Sequence, residues 1–222
     1  MKKTEFIKRE AINWLFILLP FIYIFFVYDR LPQFAPFQMD RDQGIYHAVL
    51  FVMGVSLLFY ITLLVKPSIV PPAAFNENLK NFHRMRTLML AFTSLLCMTF
   101  ISEKIEVPFN WGRIGFILAF SYMMAMGNLY PTIRNNFFIG IRNSWTQSNE
   151  LIWKKTHHFA GKVFFAGGLA GVLYGILFEV YPVWYMPVIL VGYVFGLKFI
   201  PTIYSYWLYR QHERMTHNKK AA

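Results

Sequence analysis

Apolar residues in this chain are grouped in long runs that short polar segments separate. A helix needs about 20 apolar residues to cross the hydrocarbon layer of a membrane, and most of the runs approach this length. We predict six transmembrane helices, at Ala11–Tyr28, Tyr46–Val65, Thr87–Ile101, Gly112–Asn128, Phe159–Phe178 and Val183–Leu208. The third run is short, so its helix should begin earlier, within the basic cluster His83, Arg84 and Arg86. The predicted fold class is an all-α integral membrane protein, with one polytopic membrane domain over residues 1–222.

Proline and charged residues divide these runs. Pro20 lies inside the first run and should kink that helix. Lys66 and Pro67 end the second run, and Pro71 and Pro72 should prevent an immediate helical restart. The charged start followed by an apolar run resembles a signal peptide, but no small-residue cleavage site follows it. We therefore expect an uncleaved first span.

Composition agrees with a membrane protein and limits its partners. Hydrophobic residues make up 56% of the chain and charged residues 15%, against roughly 25% charged residues in soluble domains. A net charge of +11 could suggest nucleic acid, but the chain has no recognised nucleic-acid-binding module, and we expect no direct nucleic-acid partner. The single Cys97 cannot form an intrachain disulfide or a metal–thiolate site.

Lysine and arginine are distributed unevenly among the predicted loops. Most of them lie before the first span, in the second and fourth loops, and in the tail after the last span. Cytoplasmic loops carry such an excess in membrane proteins. We therefore predict that both termini are cytoplasmic, and that the polar segment Gly127–Gly161 between spans four and five is cytoplasmic too.

Glycine spacing indicates close helix packing. The fifth span carries Gly167, Gly171 and Gly175 on one face, and the sixth carries Gly192 and Gly196 at the same spacing. Small residues four apart let helix backbones approach closely in membranes. We predict a tight hairpin of spans five and six, with homodimerisation through the same face as the alternative.

The segment Gly127–Gly161 is the longest polar stretch of the chain. Thr146 or Ser148 could cap a helix that starts just before Glu150, and that helix would run on or bend into the fifth span. Trp145 and Trp153 would anchor its apolar face among lipid headgroups. Lys154 and Lys155 would then meet the phosphates of anionic membrane lipids. The alternative is an interfacial elbow that joins two spans and fixes topology.

Candidate chemistry in the chain is sparse. His157 and His158 are adjacent, so on a helix they point about 100° apart and cannot both bind one metal ion. We predict no metal site, and no nucleophile–base pair for catalysis is visible. Lys198 lies inside the sixth span, where its stem could snorkel to the interface or the residue could serve an ion or substrate.

The polar segment carries motifs whose order and spacing resemble the SdpI immunity-protein family. They are Asn128-Leu129-Tyr130-Pro131, Asn136-Phe137-Phe138-Ile139-Gly140-Ile141-Arg142, Trp145-Thr146, Trp153-Lys154-Lys155-Thr156-His157 and Gly161. The six-span plan is also similar. The chain departs from the family pattern at Asn135, Asn143, Ser144, Gln147 and His158, which puts the identity of a partner in doubt more than the fold.

The resemblance implies a multi-pass protein of the bacterial cytoplasmic membrane that is not an enzyme and has no cofactor. The founding member protects its producer from a secreted, membrane-active peptide toxin and captures a small cytoplasmic repressor at the membrane. The resemblance marks a set of residues in this chain as related to a partner or toxin. They are Asn128, Pro131, Asn136, Gly140, Arg142, Trp145, Thr146, Trp153, Lys155, Thr156 and His157.

The residues alone are also compatible with two other functions. A small transporter or ion-coupled carrier would use Lys198 and Glu179. A membrane enzyme acting on lipid or cell-wall precursors is the second alternative, and the lack of a carboxylate-rich or histidine-rich constellation counts against it.

Overall fold

The computed structural model describes residues 3–30, 54, 57–58, 60–61, 72–105, 109–136, 140–178 and 186–221. Within these ranges all regular secondary structure is helical, as the sequence predicts. Two 3₁₀ turns, Tyr28–Arg30 and Tyr130–Thr132, follow the first and third helices. The α-helices are α1 (Lys3–Val27), α2 (Pro72–Lys104), α3 (Trp111–Leu129), α4 (Ser144–Ser148), α5 (Glu150–Leu177) and α6 (Met186–Ala221).

Four segments of the described chain are long and apolar enough to cross a membrane. They are Glu10–Arg30, Asn81–Glu103, Trp111–Thr132 and Glu150–Leu177, and they correspond to the first, third, fourth and fifth predicted spans. The second predicted span lies mostly outside the described residues, as do Glu179 and Pro71. The sixth begins just before α6, whose side-chain environment is described only for residues 198–216. The count of six spans and the cytoplasmic termini therefore stay predictions.

Helix starts differ from the prediction at α2 and agree with it at α3. The helix α2 begins at Pro72, well before the basic cluster, so Pro72 does not delay the restart of the helix. Proline is tolerated in a first helical turn because its missing N–H would have no partner there. The helix α3 begins within one residue of the predicted start, and the side chain of Asn110 caps it by accepting a hydrogen bond from the Arg113 backbone N–H at 2.9 Å.

The helices α1 and α2 pack against each other along apolar side chains. Cys97 and Ile101 of α2 are buried against Ile24 and Val27 of α1. At the same end the Tyr23 hydroxyl is hydrogen-bonded to the Ser102 hydroxyl at 2.6 Å. This contact gives two polar groups a partner between apolar helices, where an unpaired polar group would be costly.

The glycine face of α5 packs against α3, not against the last helix as we expected. A Cβ atom at Gly168 would lie 2.5 Å from the Met124 backbone nitrogen, and one at Gly171 would overlap the Phe120 ring. Gly175 follows the same seam, where a Cβ would lie 2.8 Å from Ile117 Cγ1. Glycine spacing marks a helix face that permits close approach, but it does not specify the neighbour. Gly167 is half-buried, while Gly192 and Gly196 lie where the surroundings of α6 are not described.

Arg113 at the start of α3 supports the far end of α5. Its Nε donates to the Gly175 carbonyl oxygen at 2.6 Å, and its Nη2 donates to the carbonyl oxygen of Ile176. The last carbonyls of a helix have no partner within the helix, and a cation there also matches the helix dipole. The pairing of α3 with α5 is thus fixed at this end by charge and along its length by glycine.

Candidate functional site

The centre of the segment Gly127–Gly161 is a buried stack of two rings on α5. Trp153 and His157 are each 1% exposed, and their ring centroids lie 4.0 Å apart at 20°. The Trp153 indole N–H donates to the Ile133 carbonyl oxygen at 2.8 Å. The expectation that Trp153 anchors the segment among headgroups is therefore wrong, because its polar edge has a partner inside the protein.

Both nitrogens of His157 are occupied by the backbone. Nε2 accepts a hydrogen bond from the Ile141 N–H at 3.1 Å. Nδ1 lies 2.9 Å from the Trp153 carbonyl oxygen, and since that oxygen can only accept, Nδ1 carries the ring proton. The ring therefore has no free nitrogen for a metal ion or for proton transfer. Its neighbour His158 is exposed, as the 100° separation on a helix predicts.

Gly140 packs against the stacked rings of Trp153 and His157. Its φ of +123° is strained for any residue with a side chain. A Cβ there would also overlap Nε2 of His157 and lie 3.1 Å from Cη2 of Trp153. Glycine is thus required at position 140 for two independent reasons, and the backbone passes directly over the two rings.

Asn143 and Thr146 form a reciprocal cap on the short helix α4. The Asn143 side chain accepts from the Thr146 N–H at 3.0 Å, and the Thr146 hydroxyl accepts from the Asn143 N–H at 3.0 Å. The same hydroxyl lies 2.9 Å from the Ile141 carbonyl oxygen, to which it donates. Thr146 is fully buried, so it is a structural link between α4 and the backbone at Ile141 and Asn143.

The cap of the long helix α5 is Asn149, not Thr146 or Ser148. Its side-chain oxygen accepts from the Leu151 N–H at 2.9 Å and from the Ile152 N–H at 3.2 Å. Asparagine is among the strongest capping residues. The sequence prediction considered only Thr146 and Ser148, and Thr146 instead takes part in the cap of the short helix α4. From Glu150 the helix runs on into the predicted fifth span, as one of the two expected arrangements had it.

Trp145 connects the segment to the last helix. Its indole N–H donates to the Ser205 hydroxyl oxygen at 2.9 Å, and Asn143 Nδ2 donates to the same oxygen at 3.2 Å. The Trp145 ring packs edge-on against Tyr206, with centroids 5.5 Å apart. The loop is therefore tied to α6 by hydrogen bonds that the sequence does not indicate.

The remaining predicted site residues divide into exposed and enclosed positions. Asn128, Arg142 and Lys155 are exposed, and Arg142 has no hydrogen bond or ion pair with any described residue. Pro131 lies close to Gly161, where an added Cβ would be 2.7 Å from Pro131 Cδ. Asn136 donates to the Arg134 carbonyl oxygen at 2.7 Å. Thr156 is fully buried, and its hydroxyl has no partner among the described residues. Phe137, Phe138 and Ile139 lie outside the described residues.

A second polar cluster joins α1 to α2, and sequence reasoning missed it. Arg86 is 2% exposed and pairs with the Glu10 carboxylate. Tyr60 donates to the other Glu10 oxygen at 2.7 Å, and Thr87 donates to the Asn13 side-chain oxygen at 2.7 Å. We counted Arg86 only as a topology marker. The one available signal was Asn13, the single polar residue in the first apolar run.

Two comparisons find known proteins that are similar to this chain. Residues 132–205 match the model of the SdpI/YfhL protein family, a range that begins before the Trp153–His157 stack and ends at Ser205. The chain is 23% identical to the Immunity protein SdpI of Bacillus subtilis (strain 168) over 217 residues, covering 92% of this chain and 97% of that protein. No solved structure matches the chain significantly. The family match and the relative aligned over nearly the whole length confirm that this chain resembles the SdpI family.

Proposed function

We propose that this protein is an immunity protein that protects a bacterial cytoplasmic membrane from a secreted, membrane-active peptide toxin. The observation that carries the proposal is the alignment with the Immunity protein SdpI over 92% of this chain. The family match supports the same proposal, since it covers the motif residues Trp145–His157. The protein is proposed to act by binding, without catalysis and without a cofactor.

The motif residues divide into a buried scaffold and an exposed residue that is available for partner contact. Gly140, Thr146, Trp153 and His157 form a packed scaffold whose polar groups bond to backbone. That scaffold holds Arg142 at the surface, two residues beyond Gly140. An exposed guanidinium without an internal partner suits a carboxylate or several carbonyl oxygens of another protein. We assign Arg142 to partner contact and the buried residues to support of that surface.

The proposal extends to signalling through the last helix. A toxin can alter the cytoplasmic surface only if it binds one conformation of the protein better than another. The Ser205 hydroxyl accepts hydrogen bonds from both Trp145 and Asn143. A displacement of α6 would therefore break or move the contacts that position α4 and Arg142. This offers a physical route for capture of a small cytoplasmic repressor when toxin is bound.

The topology that this function needs has six spans and both termini in the cytoplasm. The excess of lysine and arginine in alternate loops supports it. Reporter fusions at Thr146 and at Asn76 should give a cytoplasmic signal, while fusions at Asp40 and Pro108 should give an outside signal. An outside signal at Thr146 would contradict the signalling proposal, because the motif would face the wrong compartment.

Protection itself is tested in a sensitive bacterium. A Bacillus subtilis strain that lacks its own immunity protein would express this chain and be exposed to the peptide toxin that the strain secretes. We expect restored growth and a maintained membrane potential. Growth arrest and depolarisation at a confirmed membrane abundance of this protein would contradict immunity against this toxin.

A further inference from the structure

A groove between α5 and α6 combines positive charge with aromatic surface. Its volume is about 590 Å³, within the range of small-molecule sites. The lining residues recur every three or four positions on both helices. One face of α5 therefore forms one wall of the groove, and one face of α6 forms the other. The lining residues are Leu151, Lys154, Lys155, His158, Phe159, Lys162, Tyr204, Trp207, Leu208 and Gln211.

The basic side chains of the groove lack counter-charges. Lys154, Lys155 and Lys162 are exposed, and they form no ion pair or hydrogen bond with the residues that the structure describes. None of the ten lining residues is acidic. Like charges repel one another and attract an anion, so an anion between these ammonium groups would lower their electrostatic energy.

The other part of the groove is apolar. Phe159 and Tyr204 stack with centroids 4.3 Å apart, which joins the two helices at this level. Leu208 is 8% exposed and Trp207 is 53% exposed. A ligand that fills the groove would therefore meet ammonium groups and aromatic rings together, which suits an amphiphile with an anionic head.

The groove also lies at the level where a lipid headgroup would be found. The helix α5 has 28 residues and so is about 42 Å long, against a hydrocarbon thickness of about 30 Å. Counting back from Leu177, the first two turns of α5 extend beyond the hydrocarbon. Lys154 and Lys155 are in those turns, and Lys162 is about 12 Å further along, from where its flexible stem can reach the boundary.

We propose that this groove binds an anionic phospholipid, with its phosphate among Lys154, Lys155 and Lys162 and an acyl chain against Trp207. The inference does not depend on the proposed immunity function. Charge complementarity and membrane depth together favour a lipid over a free phosphate ion, and the tests distinguish these two sources.

Quenching of Trp207 tests the proposal in the unaltered groove. The full chain would be placed in phosphatidylcholine nanodiscs containing a minor fraction of either brominated phosphatidylglycerol or brominated phosphatidylcholine. The difference between wild type and W207F isolates the Trp207 emission. We expect stronger quenching by the brominated phosphatidylglycerol at the same fraction. Equal quenching by the two lipids would overturn the proposal.

Charge substitutions show whether the groove itself supplies the selectivity. The double variant K154Q/K155Q should lose the phosphatidylglycerol preference, by about fivefold per lysine given about 1 kcal/mol for each basic residue near a membrane surface. The matched variant R84Q/R214Q removes the same charge at two exposed positions and should keep the preference. Equal loss in both variants would mean general surface attraction. Binding of inorganic phosphate that K154Q/K155Q abolishes, together with equal quenching by the two lipids, would mean a free-anion site. Either result would contradict lipid binding in the groove.

Discussion

The backbone N–H of Ile141 donates to Nε2 of His157, sixteen residues later in the chain. This bond closes the polar segment onto the start of α5 and fixes the tautomer of the imidazole. A histidine within a family-like motif invites a catalytic or metal-binding interpretation. Here the ring instead links two stretches of backbone and stacks on Trp153.

Replacing His157 should therefore destabilise the protein. The variant H157A loses the hydrogen bond from Ile141 and the stack on Trp153, and it leaves a cavity, so we expect a loss of roughly 2–4 kcal/mol. Thermal unfolding in detergent measures the effect. The adjacent and exposed His158 provides the control, since H158A should change stability by less than about 0.5 kcal/mol. Similar losses in the two variants would show that the buried link has little energetic weight.

Gly140 should respond to substitution in a way that depends on His157. The variant G140A should lose about 1–3 kcal/mol from backbone strain at positive φ, with a further loss from overlap with the His157 ring. In the H157A background that overlap is absent, so the same alanine should cost less. A double-mutant cycle by thermal unfolding measures the coupling. Strict additivity would mean that only the backbone conformation demands glycine here.

The seam between α3 and α5 offers a comparison of two helical glycines. In G171A the new Cβ overlaps the Phe120 ring, whereas in G115A the nearest atom, Thr99 Oγ1, is 4.0 Å away. We expect G171A to lose about 1–3 kcal/mol through overpacking, and G115A to be neutral or slightly stabilising. Melting temperatures in detergent distinguish the two. Unchanged melting of G171A would show that the two helices can separate at this point without loss.

These contacts show which parts of the molecule local sequence can predict. The apolar run at Gly112–Asn128 can be identified from its own residues alone. The helix α3 matches that run within one residue at each end. The partner of the Gly171 face and the bond from Trp145 to Ser205 depend on residues distant in the chain. Spacing reports the shape of one face, but the neighbour is decided by how all the helices pack together.

Charge counting had a similar limit at Arg86. Arg84 and Arg86 are two positions apart and count equally in a topology prediction, yet Arg84 is exposed and Arg86 is 2% exposed. The alternation of buried and exposed positions in α2 depends on its packing against α1. Charge counting therefore predicts a positive loop but not the ion pair of Arg86 with Glu10.

The same pair of arginines gives a matched test of the Glu10 cluster. The variant R86Q leaves the Glu10 carboxylate without its cation between two helices, and removing one partner of a buried ion pair costs about 3–5 kcal/mol. R84Q should change stability by less than about 0.5 kcal/mol. Unfolding in detergent measures both. The double variant E10Q/R86Q should be more stable than R86Q alone, and a further loss in the double variant would contradict the ion-pair interpretation.

Substitution of Arg142 distinguishes a partner-binding surface from a loop that only fixes topology. Its side chain is exposed and has no partner among the described residues, so R142A and R142K should both melt as wild type does. If the guanidinium binds a partner, R142A should abolish protection or partner capture in the toxin assay. R142K should also bind at least about tenfold more weakly, because an ammonium group cannot form the paired hydrogen bonds that a guanidinium offers to a carboxylate. Topology needs charge and not shape, so a loop that only sets orientation would tolerate lysine fully. Normal protection by R142K at equal membrane abundance would therefore remove Arg142 from the partner surface and leave it as a topological charge.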